Sequence, residues 1–447
     1  MIKHKSILSP INTQDRNLFY FKNNLQIRVN GKKVGQFFIV LLIAFVLFHR
    51  FFIQCGLPDA TKYLLDLITV ILISITFARR IHVNNALKFQ GILLLIMVVI
   101  GTMAGISSIG GWKITAIDYI LDLRSILRPF LFIMVCYNFL DKYLVEKIKS
   151  LLVVYNLINS VYIVYQYFTL EVEKYWMRGD NLNGFFGIET GGNIYVNVVL
   201  VFTSIIAIDR YKEKQYNLKF TIFLLLLNII IATLIELKMF YIEILVIAVV
   251  FFVEFKNLSL KKVSRFLIFI PIGVVFIRII TLFLYKIYPN MEGSLSLEGI
   301  MAYTAAGGYT GGHDLNRLSF IQGINNYIFC GDVIKNIIGQ GIGSASVNTP
   351  FFSFYETTHY TWFSSAYLYI ELGAVGLLLY ITAIISLAKF SIPSKKKYML
   401  CNVILTLIMI LYNETMRTEA CYLVAFSLAS GLINNPLLER TLEKSTC

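Results

Sequence analysis

Two arginines stand four residues apart in an apolar stretch, and they are the first residues whose types and spacing point to chemistry. Arg124 and Arg128 lie within the segment 116–139, and a spacing of four places two side chains on one helix face. An arginine inside a membrane is costly and marks a functional site by default. Guanidinium groups bind phosphate oxygens through paired hydrogen bonds, so the pair is a candidate anion site. The alternatives are pairing with Asp118 or Asp122, or extension of both side chains to the outer membrane interface.

Further cations in the connections between apolar stretches extend this candidate site. They are Arg178, Lys238 and Arg317. The segment that follows Arg178 is rich in Asn and Gly up to Asn193, and this composition suits hydrogen bonding to hydroxyl-rich or anionic ligands. An ordinary turn-rich loop is the alternative for that segment. For Lys238, the alternative is an interfacial lysine paired with Glu236 or Glu243.

Two side chains near Arg317 are candidates for proton transfer. His359 and Asp314 could each act as a general base, although a lone histidine in a loop is more often a surface residue. A metal site is not expected, because the sequence has no Asp-X-Asp motif and no His or Cys pair at ligand spacing. No cofactor is therefore predicted.

These two residues and Arg317 lie in the interval 287–359, which is neither apolar enough to cross a bilayer nor strongly basic. A loop of this length is uncommon unless it is functional or disordered, and its Tyr, Phe and Ile content argues against disorder. We predict a large extracytoplasmic loop that forms the roof of an active site.

The elements that must position these residues are membrane-spanning helices. The chain is 57% hydrophobic and only 15% charged, against roughly a quarter charged in an average soluble domain. Apolar runs long enough to cross a bilayer predict an all-α polytopic membrane protein with about twelve transmembrane helices. The runs are 36–53, 60–78, 88–106, 116–139, 149–168, 191–208, 218–235, 239–255, 266–286, 361–388, 398–413 and 418–434.

The net charge of +14 follows this pattern. Lys and Arg concentrate in alternate connections, as cytoplasmic loops of membrane proteins do, so the charge reflects topology and no nucleic-acid partner is expected. The prediction places both termini in the cytoplasm. It divides the chain into a cytoplasmic segment 1–35, helices one to nine over 36–286, the large loop 287–359, three further helices over 360–434 and a cytoplasmic tail 435–447.

Several short segments together carry a resemblance to a known family. They are Arg124 and Arg128 within 122–130, Arg178 with Gly184 and Asn193, Lys238, Arg317 within 315–318, the glycines of 339–343, His359, and 371–376. With the span count and the one late loop, the chain resembles the O-antigen polymerase and ligase superfamily, most of all the Wzy-type polymerases. The resemblance implies a GT-C-like architecture with its large loop in the periplasm.

The resemblance also implies a function. It predicts a metal-independent glycosyltransferase of the inner membrane that polymerises undecaprenyl-pyrophosphate-linked repeat units into O-antigen or capsular polysaccharide. His359, Arg317 and Asp314 would be catalytic, while Arg124, Arg128, Arg178, Lys238 and Asn193 would bind the pyrophosphate or the glycan. The implied partners are the lipid-linked glycan and membrane lipid, and a chain-length regulator protein is compatible with this function. An O-antigen ligase that transfers glycan to a lipid A core is the first alternative, and a polysaccharide flippase or transporter is the second.

Overall fold

The structure is a computed structural model that describes most of the helical part of the chain. The described residues are 31–78, 85–107, 114–170, 179–188, 191–252, 275, 278–279, 281–283, 285–287, 315, 317, 319–346 and 363–433. Within them the regular structure is entirely helical, and no strand occurs. This agrees with the predicted all-α class.

The helices of the first half of the chain are α1 (Gly31–Gln54), α2 (Tyr63–Ala78), α3 (Asn85–Ser107), α4 (Ala116–Phe139), α5 (Lys142–Thr169), α6 (Asn193–Lys212), α7 (Leu218–Leu234) and α8 (Lys238–Phe252). The second half contributes two short helices, α9 (Phe320–Gly323) and α10 (Val333–Ile338), and three further helices, α11 (Ser364–Lys389), α12 (Lys396–Tyr412) and α13 (Cys421–Ser430).

Six of the described helices are long and apolar enough to cross a membrane: α1, α2 with its preceding 3-10 turn, α3, α5, α6 and α11. The chain therefore has the character of a multi-pass membrane protein. Helices α7, α8 and α12 coincide with predicted spans but have only 17, 15 and 17 residues. Helix α4 is 24 residues long, but its charged residues lower its apolar character. The predicted span 266–286 lies largely outside the described residues, so the total of twelve stays a prediction.

Polar contacts join the helix ends that the sequence assigns to the cytoplasm. Gln36 donates to Asp141 over 2.9 Å, Arg210 lies 3.1 Å from Glu146, and Lys395 lies 2.8 Å from Asp209. The basic connections are thus neutralised in part by acids of neighbouring helix ends. The candidate site residues that the structure describes lie at the opposite end of the bundle, as the predicted alternation of spans requires; they are Arg124, Arg128, Asn193, Lys238 and Arg317.

Helix α6 is the central helix of the bundle. Every residue from Ile194 to Arg210 is buried, and its polar contacts are made to neighbouring helices. The amide of Asn228 on α7 donates to Ser204 over 2.8 Å and accepts from Asn156 on α5 over 2.8 Å. Such interhelical hydrogen bonds satisfy polar groups where no water is present. The middle of α6 is thereby joined to α5 and α7.

Part of the predicted large loop packs into the helix bundle rather than above it. Helix α11 is kinked at Gly373, where φ is +62°, and the segment 339–343 lies against this kink. Gly341 N donates to Glu371 O over 2.9 Å, and Ile342 N donates to Gly101 O over 3.2 Å. A Cβ on Gly373 would lie 2.5 Å from backbone atoms of Ile337 and Gly339. The glycines therefore permit a backbone approach that fixes α11 against α3.

Candidate functional site

The arginine pair of α4 is bound to acids from other elements. Arg124 Nη1 lies 2.7 Å from Asp66 Oδ2 on α2. Arg128 Nη1 lies 3.9 Å from the other oxygen of Asp66 and 3.8 Å from Glu419. The predicted alternative of pairing with Asp118 or Asp122 within α4 is wrong. These pairs fix the outer part of α4 against α2 and the segment before α13.

The two acids of α4 have other partners. Thr115 caps the helix by accepting from Asp118 N, and the carboxylate of Asp118 accepts from Thr115 Oγ1 over 2.6 Å and from Ser346 over 2.8 Å. Asp122 forms an ion pair with Arg417. Both acids therefore position the helix that carries the arginines.

The two arginines differ in exposure. The side chain of Arg124 is 29% exposed, whereas that of Arg128 is 2% exposed. Arg128 also donates to Arg417 O and lies 5.5 Å from the ring centre of Tyr422. The Nε of each arginine is buried without an acceptor. Each guanidinium thus retains one donor that an incoming anion could use.

A cavity of about 260 Å³ lies beside the pair, between α2 and α4. Asp66, Arg124, Arg128 and Tyr422 form its polar end. Its remaining walls are almost entirely apolar and comprise Thr69, Val70, Ile73, Ile120, Leu123, Leu127 and Leu131. Val70 is 58% exposed and Ile120 61% exposed, so the cavity opens on the side of the bundle that faces lipid.

A second cluster surrounds Lys238, the first residue of α8. Asn193 donates to Asp180 over 3.0 Å, and Lys238 and Arg317 both interact electrostatically with Asp180. Burial raises the pKa of the Asp180 carboxyl, and the two cations and the Asn193 hydrogen bond oppose this increase. The structure thus brings together three residues that the sequence predicted separately: Asn193, Lys238 and Arg317.

Glu236 completes this second cluster. Its φ of +58° is left-handed, and Leu237 N donates to Ala232 O over 2.8 Å, so Glu236 ends α7 in a way that is common at helix C-termini. Its carboxylate accepts from Gly179 N, and burial raises its pKa, with a further increase from Asp180 and a decrease from Lys238. Burial lowers the pKa of Lys238, while Glu236 and Asp180 oppose that change and Arg317 adds to it. Lys238 therefore does interact with Glu236, whereas Glu243 accepts from Asn197 in the bundle interior.

The segment 413–420 between α12 and α13 joins the two clusters. Arg317 Nε donates to Tyr412 O over 2.7 Å, and its guanidinium carbon lies 4.3 Å from the centre of the Tyr412 ring. Arg128 donates to Arg417 O at the other end of this segment. A hydrogen bond from Arg417 N to Glu414 O closes a turn, which keeps the Cα atoms of Tyr412 and Arg417 within roughly 15 Å.

Glu419 fixes the same segment to the central helix. Tyr195 on α6 donates to Glu419 over 2.5 Å, and Arg50 at the outer end of α1 lies 4.9 Å from the centre of the Tyr195 ring. Glu419 is thus held between Arg128 on α4, at 3.8 Å, and Tyr195 on α6.

Arg417 is the one cation of this segment, and its side chain is 13% exposed. It forms an ion pair with Asp122 on α4 and lies 3.6 Å from Glu371 on α11, and its guanidinium carbon is 3.6 Å from the centre of the Tyr367 ring. Two carboxyls thus face one guanidinium. The segment 371–376, which the resemblance marked, contributes to the site through Glu371.

Sequence reasoning missed several members of this arrangement. They are Arg50, Asp66, Tyr195, Glu414 and Glu419. Arg417 in the short outer connection 413–420 was a usable signal, because outer connections are otherwise lean in Lys and Arg. Arg178, Asp314 and His359 lie outside the described residues. Convergence of all five predicted cations on one cavity therefore stays a prediction.

The described residues include no group of three or more His, Cys, Asp or Glu side chains that could hold a metal ion. The cationic groups are thus the features of this region that can bind an anion. No protein-family model matches the chain and no curated protein matches it in sequence, so the inference of function starts from the site itself.

Proposed function

We propose that the chain is a glycosyltransferase of the cytoplasmic membrane that polymerises oligosaccharide repeat units linked to undecaprenyl pyrophosphate. One observation carries the proposal: Arg124 and Arg128 form the polar end of an otherwise apolar cavity that opens towards lipid. This arrangement suits an amphiphile with an anionic headgroup and a hydrocarbon chain.

The headgroup contacts follow from the donors that the arginines keep. The buried Nε groups of Arg124 and Arg128 have no acceptor, and phosphate oxygens are strong acceptors for guanidinium groups. Arg124 is the accessible member of the pair and is held by a single carboxylate, that of Asp66. Pyrophosphate binding would therefore exchange Asp66 for phosphate oxygens at Arg124 and leave Arg128 in its buried pairs.

The same cations would assist the reaction. A hydroxyl of one glycan attacks the anomeric carbon of another, a carbon–oxygen bond forms, and the bond from that carbon to the phosphate oxygen breaks. Its electron pair remains on the departing undecaprenyl pyrophosphate. Negative charge therefore develops on the pyrophosphate in the transition state, where fixed cations stabilise it most.

The cluster around Lys238 suits the sugar part of the substrate. Asp180, Glu236 and Asn193 supply acceptors, and Lys238, Arg317 and Asn193 supply donors. Such a mixture matches glycan hydroxyls, which both donate and accept hydrogen bonds. Arg317 donates to Tyr412 O and Arg128 donates to Arg417 O, so one short stretch of backbone holds a cation of each cluster. A glycan at Lys238 and a pyrophosphate at Arg124 could therefore belong to one bound molecule.

The proposal is tested with Arg124→Ala and Arg124→Lys, and Lys335→Ala serves as control because Lys335 lies on α10, outside both clusters. Binding of undecaprenyl pyrophosphate to the purified protein in nanodiscs is measured by native mass spectrometry. We expect Arg124→Ala to lose binding and Arg124→Lys to keep part of it, since lysine keeps the charge but lacks the planar pair of donors. Unchanged binding in Arg124→Ala would contradict the proposed headgroup site.

The reaction is tested in cells that lack the wild-type gene. Loss of a polymerase leaves single repeat units on the outer-surface acceptor, because attachment proceeds while extension stops. Full-length polymer retained on the lipid carrier would identify a ligase instead. Unaltered surface glycan with a substrate accumulating inside the cell would identify a transporter.

A further inference from the structure

The segment 413–420 contains one charged side chain that has no hydrogen bond or ion pair with the described residues, that of Glu414. Arg417 is paired with Asp122 and Glu371, and Glu419 is paired with Arg128 and Tyr195. The backbone carbonyl of Glu414 accepts from Arg417 N and Thr418 N. Its carboxylate, by contrast, makes no hydrogen bond or ion pair with any residue that the structure describes, and the residue is partly exposed.

Glu414 lies between the two clusters. It follows Tyr412, whose carbonyl holds Arg317, and it precedes Arg417, whose carbonyl holds Arg128. Arg50, Arg417 and Glu419 are the charged groups that act on its carboxyl, and the Tyr367 hydroxyl also interacts with it. The backbone on either side of Glu414 thus holds a cation of each cluster, and its partly exposed carboxylate belongs to the segment that joins them.

We propose that the carboxylate of Glu414 accepts the proton of the attacking hydroxyl. The inference rests on the proposed function. As the hydroxyl oxygen bonds to the anomeric carbon and the pyrophosphate leaves with the electron pair of the broken bond, the hydroxyl proton moves to a carboxylate oxygen of Glu414. Return of that proton to solvent through the exposed side of the residue completes the cycle.

The electrostatic environment agrees with this role. Burial raises the pKa of Glu414 to about 7, with a further increase from Glu419, while Arg50 and Arg417 oppose it. A general base is most effective when its pKa lies near the working pH. Glu419 is instead engaged by Arg128 and Tyr195, so its carboxylate is not free for the same task.

The experiment measures polymer formation in membranes that contain endogenous lipid-linked repeat units. Glu414→Gln and Glu414→Asp are compared with wild type, and Glu213→Gln is the control because Glu213 is an exposed acid at the opposite end of the bundle. We expect Glu414→Gln to lower the rate on the order of a hundredfold or more, the range of general base catalysis. Undecaprenyl pyrophosphate binding by purified Glu414→Gln should be unchanged.

The pH profile separates a base from a structural residue. The wild-type rate should rise as pH increases through about 7 and then level off, because the carboxylate must be deprotonated to act. Glu414→Gln should lose this rise, and Glu414→Asp should keep it at a reduced rate. A wild-type rate and profile in Glu414→Gln would overturn the proposal, as would loss of the rise in His359→Gln but not in Glu414→Gln. Failure of wild-type membranes to extend lipid-linked repeat units would instead overturn the proposed function, and the role of Glu414 with it.

Discussion

At the scale of single residues, burial separates the roles of two arginines that the sequence alone presents as equivalent. Arg124 has one ionic partner and 29% exposure of its side chain. Arg128 is 2% exposed and holds Asp66, Glu419 and the carbonyl of Arg417. Arg124 is therefore suited to exchange partners with a ligand, while Arg128 maintains the structure around it.

This difference predicts that the two alanine substitutions destabilise the protein to different extents. Arg128→Ala leaves the buried carboxylate of Glu419 without its main cation, and breaking a buried ion pair in this way costs about 3 to 5 kcal/mol. Arg124→Ala removes a partly exposed pair, so the free energy of unfolding should fall by about 1 kcal/mol or less. Thermal unfolding of both variants in the same detergent measures the difference. An equal loss in the two variants would contradict the assignment of roles.

The sequence could predict which residues belong to the candidate site more readily than which residues contact one another. The alternation of apolar runs and basic connections indicated that Arg124, Arg128, Lys238 and Arg317 belong to one end of the bundle. Their partners lie far away in the chain, with 58 residues between Arg124 and Asp66 and 289 between Arg128 and Arg417. Local sequence patterns cannot predict such pairings, because they depend on how the helices pack.

At the scale of elements, the kink of α11 is the feature that positions Glu371 for Arg417. The left-handed conformation of Gly373 lets the segment 339–343 approach the helix, and the amides of Gln340 and Gly341 donate to Ile370 O and Glu371 O. The hydrophobic run predicted the limits of this helix within a few residues, 361–388 against Ser364–Lys389. It could not predict the kink, because glycine is also common in straight transmembrane helices.

Gly373→Ala should destabilise the protein. A methyl group there would lie 2.5 Å from backbone atoms and would require a conformation that alanine disfavours, so the cost should reach about 2 to 4 kcal/mol from overpacking and backbone strain. Gly91→Ala in α3 is the matched control, since no atom lies within 4 Å of its added methyl group. Unfolding temperatures of the two variants give the comparison. A small effect at both positions would show that α11 does not depend on the kink.

At the scale of the whole molecule, the two ends of the helix bundle differ in the contacts of their charged residues. One end pairs basic connections with acids, as in Lys395 with Asp209, and the other end contains both candidate clusters. Because Lys and Arg concentrate in alternate connections, the sequence could predict which end of the bundle faces the cytoplasm. The number of helices that cross the membrane depends also on the interval 253–314, most of which the structure does not describe.

The polarity can be tested with thiols already present in the chain. Cys55 and Cys330 are exposed and unpaired, and both belong to the end predicted to face outwards. A membrane-impermeant maleimide should therefore label them in spheroplasts with intact membranes. In a variant that lacks Cys55, Cys330 and Cys447, Glu213→Cys should be labelled only after the membranes are opened. Labelling of Glu213→Cys before opening, without labelling of Cys55 and Cys330, would reverse the orientation.

The position of the segment 413–420 has a consequence for how the protein is made. Asp66, Arg124 and Arg128 enter the membrane early in translation, but Glu419 and the carbonyls that hold Arg128 and Arg317 leave the ribosome only after α12. Until then Arg128 has Asp66 as its only ionic partner among the residues described here. The two clusters are therefore joined in one late step of synthesis, and a nascent chain that stops before Tyr412 inserts most of the helices without forming the combined site.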